Sequence, residues 1–179
     1  MIQEQLGLLP VIRAGRFALR PLRRSDAGLI AFYTADRRVA EGTRVIPHPL
    51  PPGATEAYVD RCLTQGCGED IWVMDGSEHG LDEVLGLVSL TRMDRAQSEI
   101  VYWVAPAFWN TGLASEAVAA MVEANPHEAR TLFAEVFQDN PGSARVLTNC
   151  GFEYLGDAEA HSVARGRMVP TWTYIRKMS

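Results

Sequence analysis

The residues of this chain whose type and spacing could do chemistry are a glycine-containing turn, two carboxylates beside it in neighbouring apolar runs, and a capped serine. The turn is Trp109-Asn110-Thr111-Gly112-Leu113-Ala114, placed just after the run Ile-Val-Tyr-Trp-Val and Pro106. Leu113, Ala114, Ala117, Val118, Met121 and Val122 then recur at helical spacing, so a helix begins near Gly112. A helix that starts off a strand end aims its free N–H groups and the positive end of its dipole into the turn. Gly112 lets the backbone come close and Ala114 adds only a methyl, which suits a pyrophosphate. The turn side chains are neutral and neither GxxxxGK[ST] nor GxGxxG occurs, so main-chain donors would carry the recognition. Without a ligand the same pattern is a buried strand-turn-helix.

Glu99 precedes the apolar part of the strand that leads to this turn, where it is either a base or a solvated strand-end charge. Glu135, alone in Leu-Phe-Ala-Glu-Val-Phe, must find a partner or reach a cleft. Glu116 reads as a structural charge on the first helical turn. Asn140 and Ser143 open another helix, on their own terms as a cap and an exposed serine.

Arg16–Pro21 alternates as an edge strand, and Ser25 offers an N-cap to a helix carrying Leu29, Ile30, Phe32 and Tyr33. Val45–Gly53 holds four prolines and should be a stiff surface loop; Ala54–Gly66 is amphipathic and ends at glycine. Ile71–Met74, Val84–Leu90 and Ser98–Val104 read as an antiparallel meander, with His79 in the first hairpin loop. Leu132–Phe137 is another strand, Asn140-Pro141 starts a helix closed by Gly151, and Phe152–Leu155 and Met168–Lys177 finish as strands.

A length of 179 residues and 47% hydrophobic content suit one globular domain over residues 1–179. The net charge of −5, with 22 acidic and 17 basic residues in no basic block, argues against nucleic acid and suits a cationic acceptor. No run approaches a membrane span and the N-terminus lacks a basic, apolar leader, so a cytoplasmic protein is expected. Cys62, Cys67 and Cys150 should then be reduced, with Cys62 and Cys150 packed on apolar helical faces and Cys67 more exposed. No zinc spacing occurs. His48, His127 and His161 read as surface histidines, the last in a polar loop.

The turn Trp109–Ala114 resembles motif A of the GNAT N-acetyltransferases, [Q/R]-x-x-G-x-[G/A], with tryptophan at the first position. That tryptophan, followed by Ser115-Glu116-Ala117, is similar to the RimJ/RimL-type branch, which acetylates protein N-terminal amines. Asn140, Ser143, Val146, Leu147, Gly151 and Phe152 resemble that branch's motif B, N-x-x-S-x-x-V-L-x-x-x-G-F, and Ile46-Pro47-His48-Pro49 resembles its acceptor loop. The resemblance spans roughly Arg16 to Met178.

It implies an α/β (α+β) GNAT fold: a mixed, mostly antiparallel sheet of about seven strands, splayed at its centre, with helices on both faces. It implies acetyl-CoA as cosubstrate, no metal, and direct transfer to a primary amine. Val104, Trp109, Asn110, Thr111, Gly112, Leu113, Ala114, Asn140 and Ser143 would hold the cofactor, with a backbone N–H near Val104 facing the developing oxyanion. Glu99 would be the base, with Glu135 competing, and Ser143 the acid for the leaving thiolate. The tyrosine that many family members carry later in this helix is absent from Ala144–Cys150. Neutralising a lysine near neutral pH costs roughly 4 kcal/mol, whereas an α-amine of pKa ~7.7 to 8.0 costs almost nothing. A protein N-terminus therefore asks less of the base. The alternatives are a small-molecule amine acetyltransferase and a non-catalytic CoA-binding module, and a final strand carrying Trp172 could pair across a homodimer.

Overall fold

The computed structural model describes residues 9–179; the expectation about the N-terminal leader falls partly on residues 1–8, outside them. The strands are β1 (Ile12–Arg13), β2 (Ala18–Pro21), β3 (Asp70–Asp75), β4 (Gly86–Met93), β5 (Gln97–Val104), β6 (Thr131–Phe137), β7 (Glu153–Ser162) and β8 (Arg167–Lys177). The helices are α1 (Ala27–Thr34), α2 (Arg37–Glu41), α3 (Ala54–Thr64), α4 (Leu113–Ala124) and α5 (Pro141–Asn149).

All eight strands form one sheet in the order β1-β2-β3-β4-β5-β6-β8-β7. Every neighbouring pair is antiparallel except β5 and β6, which run parallel and meet only at Gln97–Thr131, Ser98–Leu132 and Glu99–Phe133. Beyond Glu99 the two strands diverge, so the sheet is open at its centre. That is the splayed α/β sheet expected.

Alternation along β5 and β6 decides which helices cover which face. Ile100, Val104, Leu132, Ala134 and Val136 pack with Leu113, Ala117, Val118 and Met121 of α4 and with Ala144 and Leu147 of α5. On the other face Ile71, Val73 and Leu87 pack with Ala27 and Ile30 of α1 and Val59 of α3. Glu99, Val101 and Trp103 point to this second face, as does Glu135.

Several local expectations are corrected. Ser25 does not cap α1; it lies inside a 3₁₀ turn, Arg24–Asp26, because Asp26 takes the backbone N–H of Arg23 at 2.7 Å while its carboxylate is paired with Arg20. The first predicted strand is not the edge, since β1 lies outside it. Cys62 and Cys67 are not free thiols but a disulfide with Cα atoms 4.7 Å apart. Gly66 and Gly68, at φ of 79° and 82°, turn the chain back after α3 and bring the two together. His161 lies in β7 rather than in a loop, and the strand predicted to end at Leu155 continues to Ser162.

His127 is buried at 7% exposure rather than on the surface. Its ring bridges Ser98 Oγ at 2.8 Å and Asp70 at 2.6 Å. The Ser-His-Asp order has no hydrolytic meaning here, because Ser98 is only 1% exposed and no substrate could reach it. It ties β5, the β3 start and the segment before β6 together.

Candidate active site

Helix α4 begins at Gly112, whose φ of 83° only glycine adopts without strain, after Asn110 at φ 61°. The first-turn N–H groups of α4 therefore face the turn. Arg16 braces it from outside: its backbone N–H and Nε donate to Glu116 at 2.7 and 2.8 Å, and its Nη2 donates to the Thr111 carbonyl at 2.9 Å. Glu116 is thus the structural charge expected. Trp109 is pinned by its indole N–H, which donates to the Val104 carbonyl at 2.7 Å, and the Arg38 guanidinium lies 5.3 Å over its ring.

A cleft of about 720 Å³ opens in front of this turn. Of the expected cofactor residues, Val104, Trp109, Asn110, Gly112, Leu113, Ala114, Asn140 and Ser143 line it. Thr111 does not; its carbonyl is spent on Arg16.

Beyond Glu99 the β5 edge facing the opening has no strand partner, although its Val104 carbonyl is taken by the Trp109 indole. Ala105 N–H bonds to Leu85 O at 2.9 Å, which fixes the phase of the β4–β5 ladder. Odd-numbered residues of β5 consequently bond to β4, and the main-chain groups of Ile100, Tyr102 and Val104 point into the gap. An extended, amide-bearing ligand fits this edge as an added strand.

Tyr102 projects toward α5, where its Oη donates to the Ser143 carbonyl at 3.0 Å and Ser143 Oγ donates back to Oη at 3.0 Å. Burial pushes its phenol well above the ordinary tyrosine value. Sequence reasoning missed this residue by searching α5 alone for a tyrosine. The period-two alternation that puts Ile100, Tyr102 and Val104 on one face could have found it. Asn140 caps α5 loosely, its side chain accepting from Ser143 N at 3.4 Å.

Glu99 does not line the main cleft. It stands at the fork of β5 and β6, where Arg44 Nη2 donates to its Oε1 at 2.6 Å. Arg44 Nη1 donates to Glu135 Oε1 at 3.0 Å, and Thr171 donates to the other Glu135 oxygen at 2.7 Å. Glu135 has therefore found the partner its apolar strand demanded. Burial works to lower the Arg44 pKa, but the bonds and charges of the two carboxylates hold it above the ordinary value. Arg44 and Glu135 line a smaller cavity of about 30 Å³ that shares Gly42, Thr43, Tyr102 and Ser143 with the main cleft. Nothing in the sequence near Arg44 marks it, since the pairing spans 55 and 91 residues.

The β7–β8 turn closes over this region. Arg165 pairs with Asp139, donates to the Glu41 carbonyl at 2.8 Å and lies 5.0 Å over the Phe137 ring, while Val163 N–H donates to the Arg44 carbonyl at 3.0 Å. Hydrogen bonds from Arg165 hold the Asp139 carboxyl below the usual range. Among the described residues no group of three or more His, Cys, Asp or Glu is placed to hold a metal ion, and no helix is long and apolar enough to cross a membrane.

A sheet split between parallel strands, with a helix N-terminus at the head of the split, is the architecture of an acyl-CoA-using N-acetyltransferase. Residues 16–153 match the family described as the acetyltransferase (GNAT) domain, and the chain belongs to that family. No curated protein sequence matches it. Solved structures similar to it include RimL, the ribosomal L7/L12 alpha-N-protein acetyltransferase in complex with coenzyme A, at 16% identity and a TM-score of 0.79, covering 94% of this chain and 98% of that one. The ribosomal-protein-S5-alanine acetyltransferase from Vibrio fischeri is 20% identical with a TM-score of 0.72, covering 94% and 97%. Spermidine N-acetyltransferase from Vibrio cholerae, in complex with CoA and spermine, is 17% identical with a TM-score of 0.76, covering 91% and 96%.

Proposed function

We propose that this chain is an acetyl-CoA-dependent N-acetyltransferase of the RimJ/RimL-like kind, acting by direct transfer on a protein or peptide N-terminal α-amine. One observation carries the reading: the small cavity at the fork is bordered by Glu135 and by the Tyr102–Ser143 pair, and it shares Tyr102 and Ser143 with the main cleft. Glu99 lines neither cavity but is joined to Glu135 through their shared Arg44, so a base and an acid flank the fork from opposite faces of the sheet.

The residues present fit acetyl-CoA. The main-chain donors at Gly112–Ala114 suit its pyrophosphate, and the free edge Ile100–Val104 suits the amides of its arm. The thioester supplies the activated acetyl group. Glu99, whose Oε2 accepts no bond among the described residues, takes the proton of the incoming ammonium directly or through a water. The Val104 N–H, on the gap side of β5, would donate to the thioester carbonyl oxygen as charge develops, and the hydrogen-bonded Ser143–Tyr102 pair would give the leaving thiolate its proton. A cytoplasmic setting, where acetyl-CoA and new N-termini meet, belongs to this reading, with the Cys62–Cys67 bond an exception to its reducing surroundings. The expected homodimer through the last strand is corrected, since β8 is paired on both edges by β6 and β7.

The test is thiol release from acetyl-CoA by the purified protein with a panel of peptides bearing free N-termini, capped lysine peptides and small amines. Release fastest with free N-termini is expected. A small amine used faster than every peptide would replace the acceptor class, and no release with any amine would overturn the enzyme reading.

A further inference from the structure

Arg44 is the one guanidinium shared by both carboxylates at the fork, and its side chain is 32% exposed against 23% for Glu99 and 16% for Glu135. Half-buried charges of this kind are not screened away by solvent, so their sum is felt by whatever amine enters. The sum is −1: two carboxylates and one guanidinium. The other charged groups around the opening are already balanced in pairs, Arg165 with Asp139, Arg38 with Asp36 and Arg37 with Glu41, while Arg145 lines the cofactor side on α5. An acceptor with a single ammonium matches a net charge of −1. Among the described residues at the fork, a polycation would find one uncompensated carboxylate, the Glu99 oxygen that Arg44 leaves free.

We propose that Arg44 is a specificity-determining residue that cancels one of the two fork carboxylates, so that the site takes monocationic α-amines and disfavours diamines and polyamines. This inference rests on the acceptor site assigned under the proposed function. It adds a reason, in this chain's own residues, why a fold shared with a spermidine N-acetyltransferase would serve a different class of amine. Glu135 contributes as the neutralised partner, locked on both oxygens by Arg44 and Thr171, and Glu99 as the working charge.

The experiment compares an amide-capped tripeptide bearing a free α-amine with 1,4-diaminobutane, at about pH 8. Wild type, Arg44→Gln, Glu135→Gln and the double variant Arg44→Gln/Glu135→Gln are each read by kcat/KM and by calorimetric binding of 1,4-diaminobutane. Arg44→Gln leaves two negative charges and should raise the preference for the diamine on the order of tenfold. The double variant returns the site to −1 and should restore the wild-type ratio within about twofold, which a merely structural loss would not do. Glu135→Gln leaves the site neutral and should lower diamine binding below wild type, so the idea stays testable if Arg44→Gln fails to fold. A ratio that stays flat in both single variants, or a double variant that behaves like Arg44→Gln, overturns the role of Arg44. Calorimetry separates the two readings: unchanged binding contrasts in a protein that transfers no acetyl group would sink the proposed reaction alone, and transfer to peptides with flat contrasts would sink this inference alone.

Discussion

Tyr102 and Ser143 exchange hydrogen bonds across the opening of the sheet, the phenol donating to the Ser143 carbonyl and the Ser143 hydroxyl donating to the phenol, both at 3.0 Å. The proton that Ser143 would offer a leaving thiolate is thus held by a residue on the opposite element. Tyr102→Phe should lower kcat by about 10- to 100-fold while leaving the KM for acetyl-CoA within about threefold, and Ser143→Ala should act in the same direction. Steady-state kinetics of both variants check this. Wild-type turnover in both would remove the pair from the chemistry.

Because burial raises the Tyr102 pKa, the phenol stays protonated to higher pH than an ordinary tyrosine. The kcat profile of the wild type should therefore show no loss attributable to this group below about pH 10. A falling limb near pH 9 that disappears in Tyr102→Phe would contradict the assignment.

Gly86 faces Val104 across the β4–β5 ladder, and a Cβ there would lie 2.2 Å from the Trp103 carbonyl oxygen and 3.0 Å from the Val104 Cα. Neither is a flexible side-chain end. Gly86→Ala should cost about 1–3 kcal/mol in urea unfolding and should also weaken turnover, since it pushes on the strand end that carries Val104. Full stability with full activity would show that β5 yields without consequence.

Arg20, 4% exposed, holds Asp26 through two hydrogen bonds and Asp75 through a third at 2.6 Å. Arg20→Met would strand both carboxylates and should cost about 3–5 kcal/mol. Burial pushes the Asp75 carboxyl up, but bonds from Arg20 and Ser77 outweigh it and hold it below the usual range. Its contribution is therefore present above the unfolded value of ~3.9 and lost as pH falls through the folded value. Asp75→Asn should be less stable than wild type at neutral pH, with the gap narrowing as pH falls below the unfolded value of ~3.9. Chemical denaturation across that range measures it.

The Arg165 strap gives a prediction of a different kind. Arg165→Ala removes the ties to Asp139 and the Glu41 carbonyl. Hydrogen exchange should quicken at residues 41–44 and 162–166, and the acceptor KM should rise more than that for acetyl-CoA. Unchanged exchange at 41–44 would mean that Val163 alone holds the turn.

What could be read from the sequence was what local rules govern. The strand, the turn at Gly112 and the apolar stripe of α4 announce themselves within 25 residues, and so does the Asn140-Pro141 cap of α5. Arg44 could not be read, because its partners lie in strands far along the chain and its own surroundings carry no periodicity. Tyr102 was in view but was assigned only to the strand, since nothing local says that α5 will lie against it. His127 looked like a surface histidine because burial in a connection depends on Asp70 and Ser98 coming to meet it. Cys62 and Cys67 were judged by compartment, while two left-handed glycines decided their pairing.

The three rungs between β5 and β6 make the middle of the sheet its weakest seam. Two blocks, β1 to β5 and β6 to β8, are stitched there by little more than the Gln97–Glu99 crossing, the Arg44 bridge and the helices that straddle both. A ligand lying along the bare edge of β5 would act as the missing suture, so a cosubstrate bound there would be at once reactant and scaffold, and each turnover would partly unpick the sheet it had closed.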